Sequence, residues 1–291
     1  KYFNSKYCLT FSNGTTAATS LFYACGIKEN SVVLISKLSF PSIISLLLNL
    51  RCQIVYLDID KNLQVILPND DILDKAHYII LTHAYGFPQN VNIIKKLNYK
   101  NIKIIEDFSH SQGAKIEDKF TGTIGLGGFS SMQGEKAISS GEGGIVLTDS
   151  DKINNKMLAF HHINRPIKND KYLTKIGILG KGRIHPLGIP KAIKSINNLK
   201  KRNENFLKKI MIIKNFFKES NKIYLPEIFE NTKVGGFHYG IPFFLLNNEF
   251  LGNLKKDLKI IKYNWPALDT LETYKDFNSF NKMIYADEIK I

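Results

Sequence analysis

A lysine with a hydroxyl five residues before it and a glycine cluster just after it stands in an unusual frame. The stretch reads Ser131-Met132-Gln133-Gly134-Glu135-Lys136-Ala137-Ile138-Ser139-Ser140-Gly141-Glu142-Gly143-Gly144. Such a frame suits a buried amine held close to a phosphate-bearing cofactor, with glycines letting the backbone approach. On this reading Lys136 carries pyridoxal phosphate (PLP) as a Schiff base, and the chemistry is that of amines.

Other stretches suit the same chemistry, and each has a plainer reading beside it. Ser12-Asn13-Gly14-Thr15-Thr16 directly precedes a helical segment. Free amides at a helix start bind phosphate, but Ser, Asn and Thr are also ordinary capping residues. Glu106-Asp107 ends an apolar run, so a carboxylate there can pair with a protonated pyridine nitrogen or cap the next element. His110 is three residues further on, within reach of the same ring or simply structural. Phe40 can stack on a flat cofactor or sit in a core. His83-Ala84-Tyr85-Gly86 can shape the pocket or form a tight turn.

Positioning these residues takes a sheet. Apolar β-branched runs at Ser31–Ile35, Gln53–Leu57, His77–Thr82 and Lys103–Ile105 alternate with helical stretches at Thr15–Cys25, Ser42–Asn49 and Val91–Leu97. That alternation implies crossover connections and a mostly parallel α/β sheet. Asp58, His83 and Asp107 then fall at strand carboxyl ends, where open α/β sheets place ligands. Short strands at Phe129–Met132 and Gly144–Thr148 flank the lysine loop. A helix from Asp149 to about His161, a polar basic stretch and a long amphipathic helix from about Pro190 to Phe217 follow. A strand at Tyr239–Leu246 and a helix at Glu249–Leu258 read as a small α+β unit. The division is a large domain over 1–189, and over 190–291 a linking helix and a small domain.

Composition narrows the class. The chain has 291 residues, 44% hydrophobic and 23% charged, the profile of a soluble globular protein. No apolar run reaches a membrane-spanning length, and no signal segment opens the chain. Cys8, Cys25 and Cys52 lack metal-ligand spacing and read as reduced thiols of a cytoplasmic protein, with no metal site. The net charge of +14 is scattered in lysine pairs. No nucleic-acid motif accompanies it, so an anionic substrate is the better use for some of that charge.

In their order these motifs resemble the DegT/StrS-type (DegT/DnrJ/EryC/StrS) sugar aminotransferases, PLP enzymes of the aspartate-aminotransferase fold (fold type I). The resemblance runs from Leu9 to about Arg202 through Ser12-Asn13-Gly14-Thr15, Ser39-Phe40, Asp58-Ile59-Asp60, His83-Ala84-Tyr85-Gly86, Ile105-Glu106-Asp107, Ser109-His110-Ser111-Gln112-Gly113-Ala114 and the lysine loop. It implies that Lys136 holds PLP and moves protons, that Asp107 pairs with the pyridine nitrogen, and that Phe40 stacks on the ring. His110, where many members have Gln, would approach the ring oxygen, and Gly14, Thr15 and Ser131 would bind the phosphate. Lys181 would reach a phosphate in the neighbouring subunit of a homodimer with shared active sites. His83, Tyr85, Arg165 and Arg183 are candidates for substrate contact, the arginines through a diphosphate or the donor carboxylate.

The chain departs from the family at three places. Gly182 stands where members usually have Tyr or Phe, and Glu29-Asn30-Ser31 replaces the usual Gly-Asp turn. The chain opens without Met and without the helical segment that precedes the Asn-Gly-Thr motif, so a chain trimmed at both ends is expected. The implied activity is amino transfer from L-glutamate or L-glutamine to a keto-sugar, nucleotide-linked or a free cyclitol ketone, in cell-surface polysaccharide or amino-sugar biosynthesis. Two alternatives stand beside it. One is a PLP-dependent sugar dehydratase, which in this family carries His at the lysine position. The other is a trimmed, non-catalytic member.

Overall fold

A computed structural model describes residues 2–161, 182–218, 223–237 and 240–245. Its centre is a seven-stranded sheet of β1 (Tyr7–Phe11), β2 (Val32–Ser36), β3 (Gln53–Leu57), β4 (Tyr78–Thr82), β5 (Lys103–Asp107), β8 (Gly127–Ser131) and β9 (Gly144–Thr148). The two-residue strands β6 (Lys115–Ile116) and β7 (Lys119–Phe120) form a hairpin between β5 and β8. Strand order is β1-β9-β8-β5-β4-β2-β3. All neighbours from β8 to β3 pair in parallel, and β9 runs antiparallel to both β8 and β1.

The helices are α1 (Gly14–Cys25), α2 (Pro41–Asn49), α3 (Asp70–Leu73), α4 (Val91–Tyr99), α5 (Asp151–His161) and α6 (Gly188–Phe216). Both faces of the sheet are covered, which is why the central strands read as continuous apolar runs rather than alternating ones. Successive residues go to opposite cores: Val33, Ile35, Ile80 and Ile105 pack with α1 and α2, while Leu34, Ile79, Leu81 and Ile104 pack on the α4 side. Burying a side chain of this size contributes roughly 1.5–3 kcal/mol, so the pleat is pinned in register at every central strand. Along α6, Ala192 and Leu199 join one core cluster and Phe206 and Ile210 another, so this helix clamps the lysine loop against the sheet.

The sequence pattern places most elements within a residue or two. It misses β1, the short hairpin and α3. β1 mixes exposed and buried positions at the sheet edge, so it offers no apolar run to read. Of the strand expected at Tyr239–Leu246, Phe244–Leu245 forms β12, paired with β10 (Ile223–Tyr224); β11 (Thr232–Lys233) pairs with β6. The helix expected at Glu249–Leu258 lies outside the described residues. Burial pushes the Cys25 thiol up to about 12 and that of Cys52 up to about 11, which keeps both protonated and unreactive near neutral pH.

Candidate active site

The carboxyl ends of β4, β5 and β8 open into a cavity of about 430 Å3. Gly14, Thr15, Phe40, Tyr85, Asp107, His110, Ser131 and Lys136 all line it. These residues come from five different segments of the chain, and the parallel strand order is what gathers them.

α1 supplies one wall. Asn13 has an extended backbone, and its Oδ1 accepts the Thr16 amide at 2.8 Å. Asn13 thus caps the helix, while the amides of Gly14 and Thr15, in the first turn, have no intrahelical acceptor. The Thr15 hydroxyl lies 2.9 Å from that of Ser42, at the start of α2. Gly14 has to be glycine, because a Cβ there would sit 2.9 Å from Ser131 Cβ. This close approach brings the helix start and the Ser131 hydroxyl together, a set of donors suited to phosphate. Capping thus falls to Asn13, and the first-turn amides left for an anion fall to its neighbours in the same motif.

Asp107 comes from the end of β5. Its Oδ1 accepts the Ser109 amide at 3.0 Å. Burial pushes its carboxyl above the usual range; the Ser109 hydrogen bonds and the charge on Lys136 offset this only in part. A cation placed against Asp107 would restore the ionised form. Lys136 shows the opposite response. Burial lowers its amine, against the pull of Asp107 and Glu135 upward, which favours the neutral nucleophile that amine chemistry needs.

The lysine loop is held by residues the sequence reading did not single out. Gln112, fully buried, donates to Ser130 Oγ and to the Ser131 carbonyl, both at 2.8 Å, and accepts the Ile138 amide. Ser109 Oγ accepts the Ser131 amide at 3.0 Å. From α6, Arg202 donates to the Ala137 carbonyl at 2.9 Å and Ser195 Oγ accepts the Ser139 amide at 3.0 Å. Both Ser109 and Gln112 sit in a quoted motif, but their partners lie across the sheet and only the fold brings them together.

Aromatic residues close the remaining side. Phe40 is half exposed over the cavity. Tyr85 takes a left-handed backbone with φ +52°, unusual for a non-glycine residue. Its ring lies 5.6 Å from that of His110 and 5.1 Å from that of Phe237.

His83, a candidate for substrate contact in the sequence, is completely buried and is absent from the cavity wall. Its Nδ1 accepts the Gln89 amide at 3.0 Å, which leaves the ring proton on Nε2, 3.1 Å from Glu106. Arg183 is exposed and does not line the cavity within this chain. Lys181 and Arg165 lie outside the described residues. Gly182, the departure noted in the sequence, packs against α1: its carbonyl accepts the Ser12 amide at 2.7 Å, and a Cβ would lie 2.5 Å from Thr16 Cγ2. An aromatic side chain would not fit in this arrangement.

These residues fit PLP. A phosphate would meet the α1 start and Ser131, and a pyridine nitrogen would meet the buried carboxyl of Asp107. An aldehyde would meet Lys136, and a flat ring would meet Phe40.

Comparison with known proteins agrees. The GDP-perosamine synthase of Escherichia coli O157:H7 is 29% identical over 159 residues, covering 53% of this chain and 44% of that protein. The L-glutamine:scyllo-inosose aminotransferase of Streptomyces griseus is 28% identical over 152 residues, covering 51% of this chain and 36% of that protein. Each match thus spans less than half of the relative's length. A solved structure of the E. coli GDP-4-keto-6-deoxy-D-mannose-3-dehydratase with bound hydrated PLP superposes with a TM-score of 0.73 at 20% identity, covering 88% of this chain and 72% of that one. It shares the fold type I architecture expected from the sequence. The model of the DegT/DnrJ/EryC1/StrS aminotransferase family matches residues 1–247, and the chain belongs to that family.

Proposed function

We propose that the chain is a PLP-dependent aminotransferase that moves an amino group from L-glutamate or L-glutamine to a keto-sugar in amino-sugar or cell-surface polysaccharide biosynthesis. The observation that carries this reading is the joint placement of Lys136, Asp107 and the α1 start around one cavity. When bound, PLP supplies an electron sink for the carbanion formed at the substrate's α-carbon.

The protein does the rest. Lys136 Nζ, kept towards its neutral form by burial, removes the proton from the donor's α-carbon. In the return half it delivers a proton to the carbon that receives the amine. Asp107 holds positive charge on the ring nitrogen. Phe40 would stack on the flat ring, and Tyr85, which lines the same cavity, would contact substrate. Gln112 and Ser109 keep the Lys136 loop and Ser131 in register with β8.

A dehydratase on this scaffold is opposed by Lys136, since family dehydratases carry His there. The rest of the reading includes a cytoplasmic homodimer with shared sites, in which Lys181 reaches the neighbouring subunit's phosphate. It also includes the division at 189/190 with α6 as the linking helix. Among the described residues no helix is long and apolar enough to cross a membrane.

The test is spectroscopic and chemical. Protein incubated with PLP should gain a visible band that borohydride fixes onto Lys136. Lys136→Ala should lose the band, and transfer of labelled nitrogen to keto-sugars should fall by at least about 10²–10⁴-fold. A Lys136→Ala protein with an unchanged spectrum and activity would overturn the assignment.

A further inference from the structure

β2 and β3 pair in parallel up to Ser36 and Leu57, so the next residues, Lys37 and Asp58, emerge side by side at the carboxyl edge of the sheet. Both side chains are buried, at 4% and 1% exposure, and Lys37 Nζ lies 2.8 Å from Asp58 Oδ1. Among the described residues neither Asp58 oxygen accepts a hydrogen bond of good geometry, so the ammonium is what compensates its charge. Asp58 follows a strand end much as Asp107 does, yet neither it nor Lys37 lines the cavity.

What the pair holds is the turn from β2 into α2. Lys37 and Ser39 are both buried and tie the turn to the strands on either side. The Lys37 amide donates to the Leu57 carbonyl at 3.0 Å and its ammonium meets Asp58, both at the end of β3. On the other flank the Ser39 hydroxyl lies 2.8 Å from that of Thr82, the last residue of β4. The residues beside them, Leu38 and Phe40, line the cavity. Alternate residues thus go to the anchors and to the wall. Phe40 then enters α2 with φ −67° and ψ 133°, the extended conformation that a following proline favours. The direction in which its ring leaves the chain is therefore set by the turn before it.

A pair kept only for stability is the competing explanation, and the energetics of buried charges argue against it. Desolvating two ions offsets most of their attraction, and well-packed apolar side chains of similar volume are often as stable or more so. An ion pair differs from an apolar contact in its intolerance of displacement, because a small shift leaves two charges apart and out of water. Here that intolerance falls on a turn that carries part of the cavity wall.

We propose that Lys37 is a positioning residue: through its buried pair with Asp58 it fixes the turn that presents Phe40 to the cofactor. The proposal rests on the PLP reading for the purpose of Phe40 but not for the rigidity of the turn.

The test replaces both charges at once, as Lys37→Met/Asp58→Val, because Lys37→Met alone leaves a buried carboxylate uncompensated and endangers the fold. Lys37→Gln/Asp58→Asn takes its place if the apolar pair does not fold. The double variant should melt within about 5 °C of the wild type. PLP, titrated by its absorbance, should nevertheless bind about tenfold more weakly. In a Phe40→Ala background the same replacement should change PLP affinity by less than about twofold, since the residue it acts through is gone. An unaltered affinity in the double variant, or an equal loss with and without Phe40, would overturn the proposal.

Hydrogen exchange reads the turn without the cofactor. In PLP-free protein the amides of Lys37, Ser39 and Ile43, each bonded within or beside the turn, should exchange at least about tenfold faster in the double variant, while those of β4 keep their rates. Unchanged rates at the turn would sink the anchor. A wild type that takes up no PLP while its turn loosens on replacement would sink the PLP reading and leave the anchor standing.

Discussion

Glu106 and Asp107 are joined by one peptide bond and face opposite sides of β5, in very different surroundings. On the α4 side, Glu106 accepts the amides of Gly122, Ile124 and Gly125 and lies 3.1 Å from His83 Nε2. On the α1 side, Asp107 accepts one backbone amide, and burial holds its carboxyl towards the protonated form. Both are buried acids, and the pleat alone decides which goes where. A buried carboxylate with a full set of donors is finished as structure. One with a partial set next to a cavity is prepared for a ligand that brings positive charge.

The largest effect should come from the structural side. Glu106→Ala leaves three amides and His83 without their acceptor, and should destabilise the fold by roughly 3–5 kcal/mol. Denaturant unfolding measures this, and a loss below about 1 kcal/mol would break the contrast between the two faces.

Asp107→Asn should do the reverse when no cofactor is added. Because burial raises the Asp107 carboxyl, the folded wild type keeps its proton there up to a higher pH than the unfolded chain does. The stability from neutral Asp107 is thus complete below the unfolded pKa, about 3.9, and is lost as pH rises through the raised folded value. The Asn variant should be the more stable protein at neutral pH, with its advantage fading on acidification. It should also bind PLP more weakly than the wild type. Unfolding curves at several pH values check the first claim, and a PLP titration checks the second.

The smallest effect concerns Gly182. Gly182→Ala places a methyl group against Thr16 Cγ2 and should cost about 1–3 kcal/mol. Adding Thr16→Ser removes that contact and should recover most of the loss in thermal melts. No recovery would mean that Gly182 is required for another reason.

Legibility from the sequence follows the same divide. The parallel sheet was readable because strands buried on two faces leave continuous apolar runs bracketed by helical stretches. Lys136 stood out because its local frame is unusual, whereas the Asn13-Gly14-Thr15 start alone reads as an ordinary cap and needed the fold to set it beside Ser131. The separation of Glu106 from Asp107 required the face of β5, which a doubly buried strand does not reveal. His83 looked like Tyr85 in one short motif, yet the first turns into the core and the second, with its left-handed backbone, borders the cavity. Gln112 and Arg202 act across long sequence separations, so no local pattern could mark them as supports of the lysine loop.

The antiparallel strand β9 has a consequence for the order of assembly. β1 pairs with it residue by residue from Tyr7–Thr148 to Phe11–Gly144, across more than 130 residues of chain. Loop closure of that length is slow to achieve. The helix start at Gly14 and Thr15 follows β1 directly and packs on Ser131 at the end of β8, so the wall suited to a phosphate joins segments more than 110 residues apart. Closing the sheet at its edge is therefore what fixes the approach of that wall to the lysine loop.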